Sequence, residues 1–374
     1  MSNNLQKDEK GAQRRKHGRQ AREAAKKKKK KMVTLVVVEV IILLIVAGGA
    51  FAYFYVQNLW DKTEAADFRK EDIATNPDLP DSVKERTKGY RTILFFGVDA
   101  RNNTDLIKNA NADTDIICTI NEDTGEIKLV SILRDTYLET TEGKHEKLTD
   151  IYCHYGVQEA IQTINRNLDL NITDYVTVNW KAVGDTINLL GGLDIELSSA
   201  EAGAVNDYVG EVISKTGLVS DGKIEVYAGV HHLDGAQAVS YARVRSVGLH
   251  DVRRAERQRL VISLMLSKAK SAGLGTLNDI CNTVFPEVST NITLSEVVSL
   301  LTDISSYEIS DSGMFPTKYQ DQQGGSYFVY CNDLIDNVIE LHQFLYENEE
   351  YTPSATVKKI SQYIDDNKVL NPKS

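Results

Sequence analysis

The chain has 374 residues with 43 Lys+Arg, 53 Asp+Glu, four Cys and six Pro, which gives room for one large or two ordinary domains and excludes wholesale disorder and a disulfide-stapled miniprotein. Its formal net charge of −10 hides a split, because residues 1–31 hold thirteen Lys/Arg against three Asp/Glu, so that a tail of +10 precedes a body of −20. A basic tail on an acidic body implies that the two occupy different environments.

Met32–Val56 has a single charge, Glu39, in 25 residues. As a helix it is long enough to cross a hydrocarbon core of roughly 30 Å, and it reads as a transmembrane helix. Six lysines, Lys26–Lys31, abut its N-terminal end, so the positive-inside rule puts residues 1–31 in the cytoplasm as a basic tail and the C-terminal body outside, in a single-pass protein of the cell membrane. Ala50-Phe51-Ala52 offers a cleaved signal peptide as the competing reading, which the length of the apolar run opposes. The lysines are explained by topology and anionic lipid, so nucleic acid is not an expected partner. Residues 57–90 are polar, include Pro77 and Pro80, and read as an extracellular stalk with one helix near Thr63–Glu71.

From Arg91 the pattern changes. Ile93–Val98 is an apolar run of buried-strand length, and Asp115–Ile120 and Ile127–Leu133 are two more, joined as a hairpin by the turn-like residues 121–125. An amphipathic helix over Gln158–Leu168, a strand at Tyr175–Trp180, a helix at Ala182–Leu190 ended by Gly191-Gly192 and a strand at Leu193–Leu197 follow. Alternation of this kind indicates an α/β fold, a central mixed sheet flanked by helices and preceded by the membrane helix. Asp234-Gly235-Ala236-Gln237 and Thr293-Leu294-Ser295-Glu296 are capping boxes opening helices through Tyr241 and over Val297–Leu301. A longer helix is expected from about Arg253 to Ala272 and an amphipathic one around Leu334–Leu345, with 352–374 frayed. The domain of interest is placed at 91–320, with 321–374 a C-terminal helix and tail. No spacing of Cys118, Cys153, Cys281 and Cys331 suits zinc; outside the membrane a disulfide is permitted, and Cys281–Cys331 is the expected pair.

Six arginines, Arg243, Arg245, Arg253, Arg254, Arg257 and Arg259, fall within 17 residues of an otherwise acidic body, with no Lys among them. A guanidinium fork grips phosphate oxygens bidentately and stays charged when partly desolvated, so the pattern favours a phosphate site. Arg254 and Gln258 share a helix face that Val261 and Met265 continue, which would suit a ligand with a charged head and an apolar tail. Arg259 lies about 100° round the helix from Gln258 and is expected to point away. A solvated, salt-bridged helix face is the alternative. Asp99 and Asp113 sit at strand ends, where carboxylates beside a phosphate site hold Mg²⁺ and where Asp also serves simply as a turn former. Arg134 ends another strand.

In order along the chain, G-V-D-A-R (97–101), A-D-T (112–114), S-I-L-R-D-T (131–136), L-G-G-L-D-I (190–195), L-D-G-A-Q-A-V-S-Y-A-R-V-R (233–245) and R-A-E-R-Q (254–258) resemble the LytR-CpsA-Psr family, membrane-anchored enzymes of Gram-positive bacteria that attach anionic glycopolymers to peptidoglycan. The resemblance implies Mg²⁺ held by Asp99 and Asp113, and the pyrophosphate of a polyprenyl-linked substrate gripped by Arg134, Arg243, Arg245 and Arg254, with Asp251 and Gln258 at further pocket positions. It implies phosphoryl transfer to a peptidoglycan hydroxyl, with Asp251 a candidate for the proton. Where the family has Arg-Ser-Asp-Thr, Ile-Pro-Arg and Lys-Ile-Asn, this chain has Asn111-Ala112-Asp113-Thr114, Ile132-Leu133-Arg134 and Lys147-Leu148-Thr149, so one arginine of the pattern is missing. A pyrophosphatase releasing lipid phosphate to water and a non-catalytic lipid-binding scaffold are the alternatives. Transcriptional attenuation would need a nucleic-acid domain that 31 cytoplasmic residues do not supply.

Overall fold

Residues 57, 58, 60–63, 68–100, 106–248, 250–322 and 327–368 are described by the computed structural model; the basic tail, the apolar span 32–56 and Arg101 lie outside them. In chain order the elements are α1 (Asp81–Arg86), β1 (Tyr90–Val98), β2 (Ala112–Asn121), β3 (Glu126–Ile132), β4 (Tyr137–Glu139), β5 (His145–Lys147), α2 (Leu148–Tyr155), α3 (Val157–Leu168), β6 (Asp174–Asn179), α4 (Trp180–Leu189), β7 (Leu193–Leu197) and α5 (Ser199–Thr216). There follow β8 (Gly229–Leu233), α6 (Gly235–Arg243), α7 (His250–Ser271), α8 (Leu274–Val284), β9 (Val288–Thr290), α9 (Leu294–Thr302), β10 (Glu308–Phe315), β11 (Tyr319–Gln322), β12 (Phe328–Cys331), α10 (Leu334–Tyr346) and α11 (Ala355–Asn367). Among the described residues no helix is long and apolar enough to cross a membrane.

The expected hairpin forms as β2–β3, antiparallel from Asp115↔Ile132 to Ile120↔Ile127. Its turn is held by the Asn121 side chain, which accepts from the backbone N–H groups of Asp123 and Thr124 at 3.0 and 3.2 Å. Gly125 closes it with φ +77°, a conformation costly for a residue with a Cβ. The central sheet has the order β10-β3-β2-β1-β6-β9. β1, β3, β6 and β10 run the same way while β2 and β9 oppose their neighbours, which makes the sheet mixed. Four strands therefore deliver their C-terminal ends, and β2 and β9 their starts, to one edge.

Each face of the sheet has its own core. Leu94, Phe96, Ile117 and Ile132 pack against Ile151 and Tyr152 of α2, Ile161 and Ile164 of α3, and Val338 of α10. Ile93, Ile116, Cys118 and Leu129 pack on the other face against Ile262 and Leu266 of α7 and Val297 and Leu300 of α9. A smaller core joins the β7–β8 hairpin to α5, α6 and α7 through Ile195, Leu233, Val205, Tyr241 and Val261. Both capping boxes are present: Asp234 accepts from Gln237 N–H and Thr293 from Glu296 N–H, each returned by the partner's side chain.

Three expectations change. In the segment read as a stalk, Lys70–Asp72 is a single 3-10 turn, and Ile73, Leu79 and Val83 are buried in the main core; apolar residues spaced too irregularly for a helix period still find a core. The expected frayed end instead carries α11. Its Ser354 cap accepts from Val357 N–H, and Val357, Ile360 and Ile364 are buried on one stripe. Cys281 and Cys331 are not paired, and all four cysteines are free thiols. Cys331 is sealed in the core at the end of β12 and Cys281 is half-buried on α8; burial pushes the thiols of Cys331 and Cys118 up to about 12.

Candidate phosphate-binding site

The sheet edge where β1, β3 and β6 end gathers the chemistry, as the carboxyl ends of parallel strands commonly do. Gly97 faces Thr114 so closely that a Cβ would lie 2.9 Å from the Thr114 Cβ. The register then skips Asp113, so that Val98 pairs with Ala112. This β-bulge re-aims Asp113, and the Asp99 N–H donates to the Asn111 carbonyl at 3.3 Å, which fixes Asp99 beside it. Sequence motifs alone placed these two carboxylates together; the bulge is how the backbone does it.

Arg134, following β3, contacts Asp113 and donates from Nε to Asp135 at 3.2 Å. Asp251, in the first turn of α7 where the helix dipole favours an anion, lies 2.9 Å from Arg254 Nη2 and 3.4 Å from Arg245 Nε. Its charge reaches Arg134 as well, so the three arginines share one neighbourhood with Asp113 and Asp251. Gln258 follows Arg254 by one turn and is half-buried. Arg243, ending α6, stacks on Trp180 at 3.7 Å from the ring centroid, with Tyr208 at 5.3 Å and Glu211 at 3.4 Å. Lys215 of α5 closes the chain of contacts. It lies 2.8 Å from Glu211, 3.4 Å from Asp99 and 5.0 Å from the Trp180 centroid; the Glu211 hydrogen bond, opposed by burial and joined by Asp99, raises its pKa.

The arginine cluster thus divides. Arg243, Arg245 and Arg254 join the site. Arg257 donates to Glu201 and to the carbonyls of Val244 and Val247 at 2.9–3.1 Å, fixing the segment that carries Arg245. Arg253 is exposed and paired with Glu256. Arg259 corrects the expectation that it points away: it is 8 % exposed and donates to Ser131 Oγ of β3 at 2.7 Å, with burial lowering its pKa. A helix packed against a sheet at its base has no solvent side there, so a turn of about 100° leads to the sheet rather than to water.

Lys215, Glu211, Trp180 and Asp115 were not singled out from sequence. Asp115, two residues beyond Asp113 and facing Phe96 and Ile132 across the ladders, is 1 % exposed and neither of its carboxylate oxygens has a hydrogen-bond partner. Burial, and next the charge of Asp113, push its carboxyl well above the usual range; Arg134 opposes the shift without reversing it. A carboxylate inside an apolar strand was the available signal. Lys215 had none, since an amphipathic helix normally carries a lysine near its end.

Among the described residues no group of three or more His, Cys, Asp or Glu side chains could enclose a metal. Asp99 and Asp113 are two hard carboxylates at one edge, both already drawing cationic side chains. That donor set fits a cation which takes one or two protein carboxylates and completes its shell with substrate phosphate and water, as Mg²⁺ does.

Residues 51–343 match the LytR_cpsA_psr family. The polyisoprenyl-teichoic acid–peptidoglycan teichoic acid transferase TagT of Bacillus subtilis is 28% identical over 288 residues, 76% of this chain and 84% of TagT. A structure of TagT bound to LIIa-WTA superposes with a TM-score of 0.55 at 23% identity, covering 71% of this chain and 93% of that one. A TagT structure with bound octaprenyl pyrophosphate lipid has a TM-score of 0.51 at 23% identity, over 70% and 92% of the two chains.

Proposed function

The chain belongs to the LytR_cpsA_psr family, and from that premise we propose that it moves an anionic glycopolymer from a polyprenyl-pyrophosphate carrier to peptidoglycan, leaving a phosphodiester. The observation that carries this reading is the convergence of Arg134, Arg243, Arg245 and Arg254 with Asp99 and Asp113 at one sheet edge. The relative named above is a teichoic acid transferase, and one related structure holds a polyprenyl pyrophosphate.

In this mechanism Arg134 and Arg243 exchange their carboxylate partners for pyrophosphate oxygens, and Arg245 and Arg254 turn their remaining N–H donors to the same oxygens, a charge-assisted and directional arrangement. Asp251 keeps Arg245 and Arg254 oriented and accepts the proton of the attacking sugar hydroxyl. The hydroxyl oxygen bonds to the phosphorus that bears the glycopolymer, the bridging P–O bond breaks, and polyprenyl monophosphate departs with its charge balanced by the arginines. Mg²⁺ bound by Asp99 and Asp113 would supply further neutralisation of the pyrophosphate. Val183, Val247, Leu264 and Met265, partly buried on the α6–α7 side, offer apolar surface to the lipid. Residues 32–56 anchor the protein in this reading, with the body outside the cell, supported by the charge asymmetry across the span.

The deciding experiment incubates the full chain in detergent with a lipid-pyrophosphate glycan, with and without peptidoglycan fragments, and follows glycan conjugates by mass spectrometry. Conjugate formation supports transfer. Lipid phosphate released equally without acceptor would make the protein a pyrophosphatase, and binding without turnover a scaffold.

A further inference from the structure

The candidate phosphate site borders a group of rings that the proposed chemistry does not use. Tyr363 of α11 stacks on His145 of β5, centroids 3.9 Å apart at 19°, and His145 stacks in turn on Tyr137 of β4 at 5.4 Å and 29°. Phe328 and Tyr330 of β12 meet Tyr137 at 5.3 and 5.0 Å. Packing accounts for only part of this: Tyr330 is buried, but Tyr137 and Phe328 are half-buried and Tyr363 is 42% exposed. Tyr363 also lies beyond the residues matched to the family.

The rings are joined to that site by direct contacts. Lys147 stands 5.3 Å over the Phe328 ring and 3.4 Å from Asp135, whose other oxygen accepts from Arg134. Val329 N–H donates to the Asp135 carbonyl at 2.9 Å, and Thr149 N–H to the Arg134 carbonyl at 2.9 Å. They also lie on a definite side of it. Tyr137, Phe328 and Tyr330 pack onto the sheet face carrying Phe96 and Ile132, whereas α7 covers the opposite face.

We infer that Tyr137, Phe328 and Tyr363, braced by His145, whose side chain is 5% exposed between two of them, form a platform for the sugar rings of the acceptor glycan. This rests on the transferase reading. In-line displacement at phosphorus places the attacking and leaving oxygens on opposite sides. With the apolar lipid surface running down α7 to Leu264 and Met265, about 20 Å from Asp251, the attacker arrives from the side of the rings and meets Asp251 at the start of that helix. The C–H face of a pyranose meets the negative face of an aromatic ring favourably. The Tyr137 hydroxyl and the Lys147 ammonium leave polar groups for its hydroxyl rim, a composition unsuited to a lipid tail.

The test compares full-length wild type with Tyr363→Ala, Phe328→Ala and Tyr363→Phe, at saturating lipid-pyrophosphate donor and increasing peptidoglycan fragment. Each alanine is expected to raise the KM for acceptor about two- to tenfold, with the KM for donor and the rate at saturating acceptor unchanged, and Tyr363→Phe to behave like wild type. An unchanged acceptor KM in both alanine variants would overturn the platform, and a rise in donor KM instead would assign the rings to the donor's own glycan. Saturation-transfer NMR of wild type with a donor-free peptidoglycan tetrasaccharide decides the matter even if the alanine variants misfold or the wild type makes no conjugate. Transfer involving the aromatic ring protons supports the platform and its absence overturns it, while a missing conjugate counts against the transferase reading alone.

Discussion

The two ends of the central sheet both carry ionic clusters, and the clusters are held differently. Where β1 and β6 begin, Arg91 and Lys70 each bridge Asp174 and Glu296 at 2.6–3.3 Å. Every charge there has two partners, and Glu296 also closes the cap of α9. Where those strands end the pairing is uneven: Arg134 contacts Asp113, Lys215 lies 2.8 Å from Glu211 and Arg254 2.9 Å from Asp251, while Arg243 and Arg245 reach Glu211 and Asp251 only at 3.4 Å. The first cluster joins residues 70, 91, 174 and 296 into one structural clasp. The second leaves Arg243 and Arg245 more loosely paired, open to a phosphate in the proposed reading, beside a buried carboxylate with no hydrogen-bond partner. Sequence shows charge at both ends; the pairing geometry separates clasp from site.

The largest way to break this comparison is at the carboxylates proposed to hold the metal. Asp99→Ala and Asp113→Ala should each lower transfer on the order of a thousandfold with melting temperature nearly unchanged, read by conjugate formation against Mg²⁺ concentration. Activity at ordinary Mg²⁺ in both variants would remove the metal assignment. Next come Arg243→Lys and Arg245→Lys, which keep the charge and lose the fork, and should cost about tenfold to a hundredfold in rate. Arg253→Lys, exposed and paired only along its own helix, is the control and should match wild type; equal rates in all three would make the loose cluster a mere surface.

At the clasp the effect should appear in stability and leave transfer untouched. Despite burial, the Lys70 hydrogen bond and the α9 cap bring the Glu296 carboxyl down to about 2. A carboxyl depressed on folding stabilises the native state above its unfolded value of 4.5, and that contribution fades as pH falls through the folded value. Glu296→Gln should therefore cost about 1–3 kcal/mol at neutral pH and flatten the acid limb of the melting curve between pH 4.5 and 2. A variant with the wild-type acid limb would show that the clasp does not depend on this charge. The smallest effect expected is at Arg259→Lys, roughly 1 kcal/mol of stability from a weakened bond to Ser131, measured by denaturant unfolding.

Much of the candidate site was legible because its residue types are unusual where they stand: arginines massed in an acidic body, and aspartates at the ends of apolar runs. Local signals likewise determined the β2–β3 hairpin, through two apolar runs and a turn with Asn121 and Gly125, and the capped starts of α6 and α9. These are interactions between near neighbours, and a sequence carries them whole. What the tertiary structure alone decided is which arginine does what. Arg257 and Arg259 are as conspicuous in sequence as Arg254, yet one holds the carbonyls of Val244 and Val247 and the other reaches Ser131 across the α7–sheet interface. The same holds for Lys215 beside Asp99, for Asp115 sealed beneath Asp113, and for α11, whose buried stripe became visible only with a core to receive it. Each depends on partners tens to hundreds of residues away, and what a side chain does is set by those partners once the chain has brought them together.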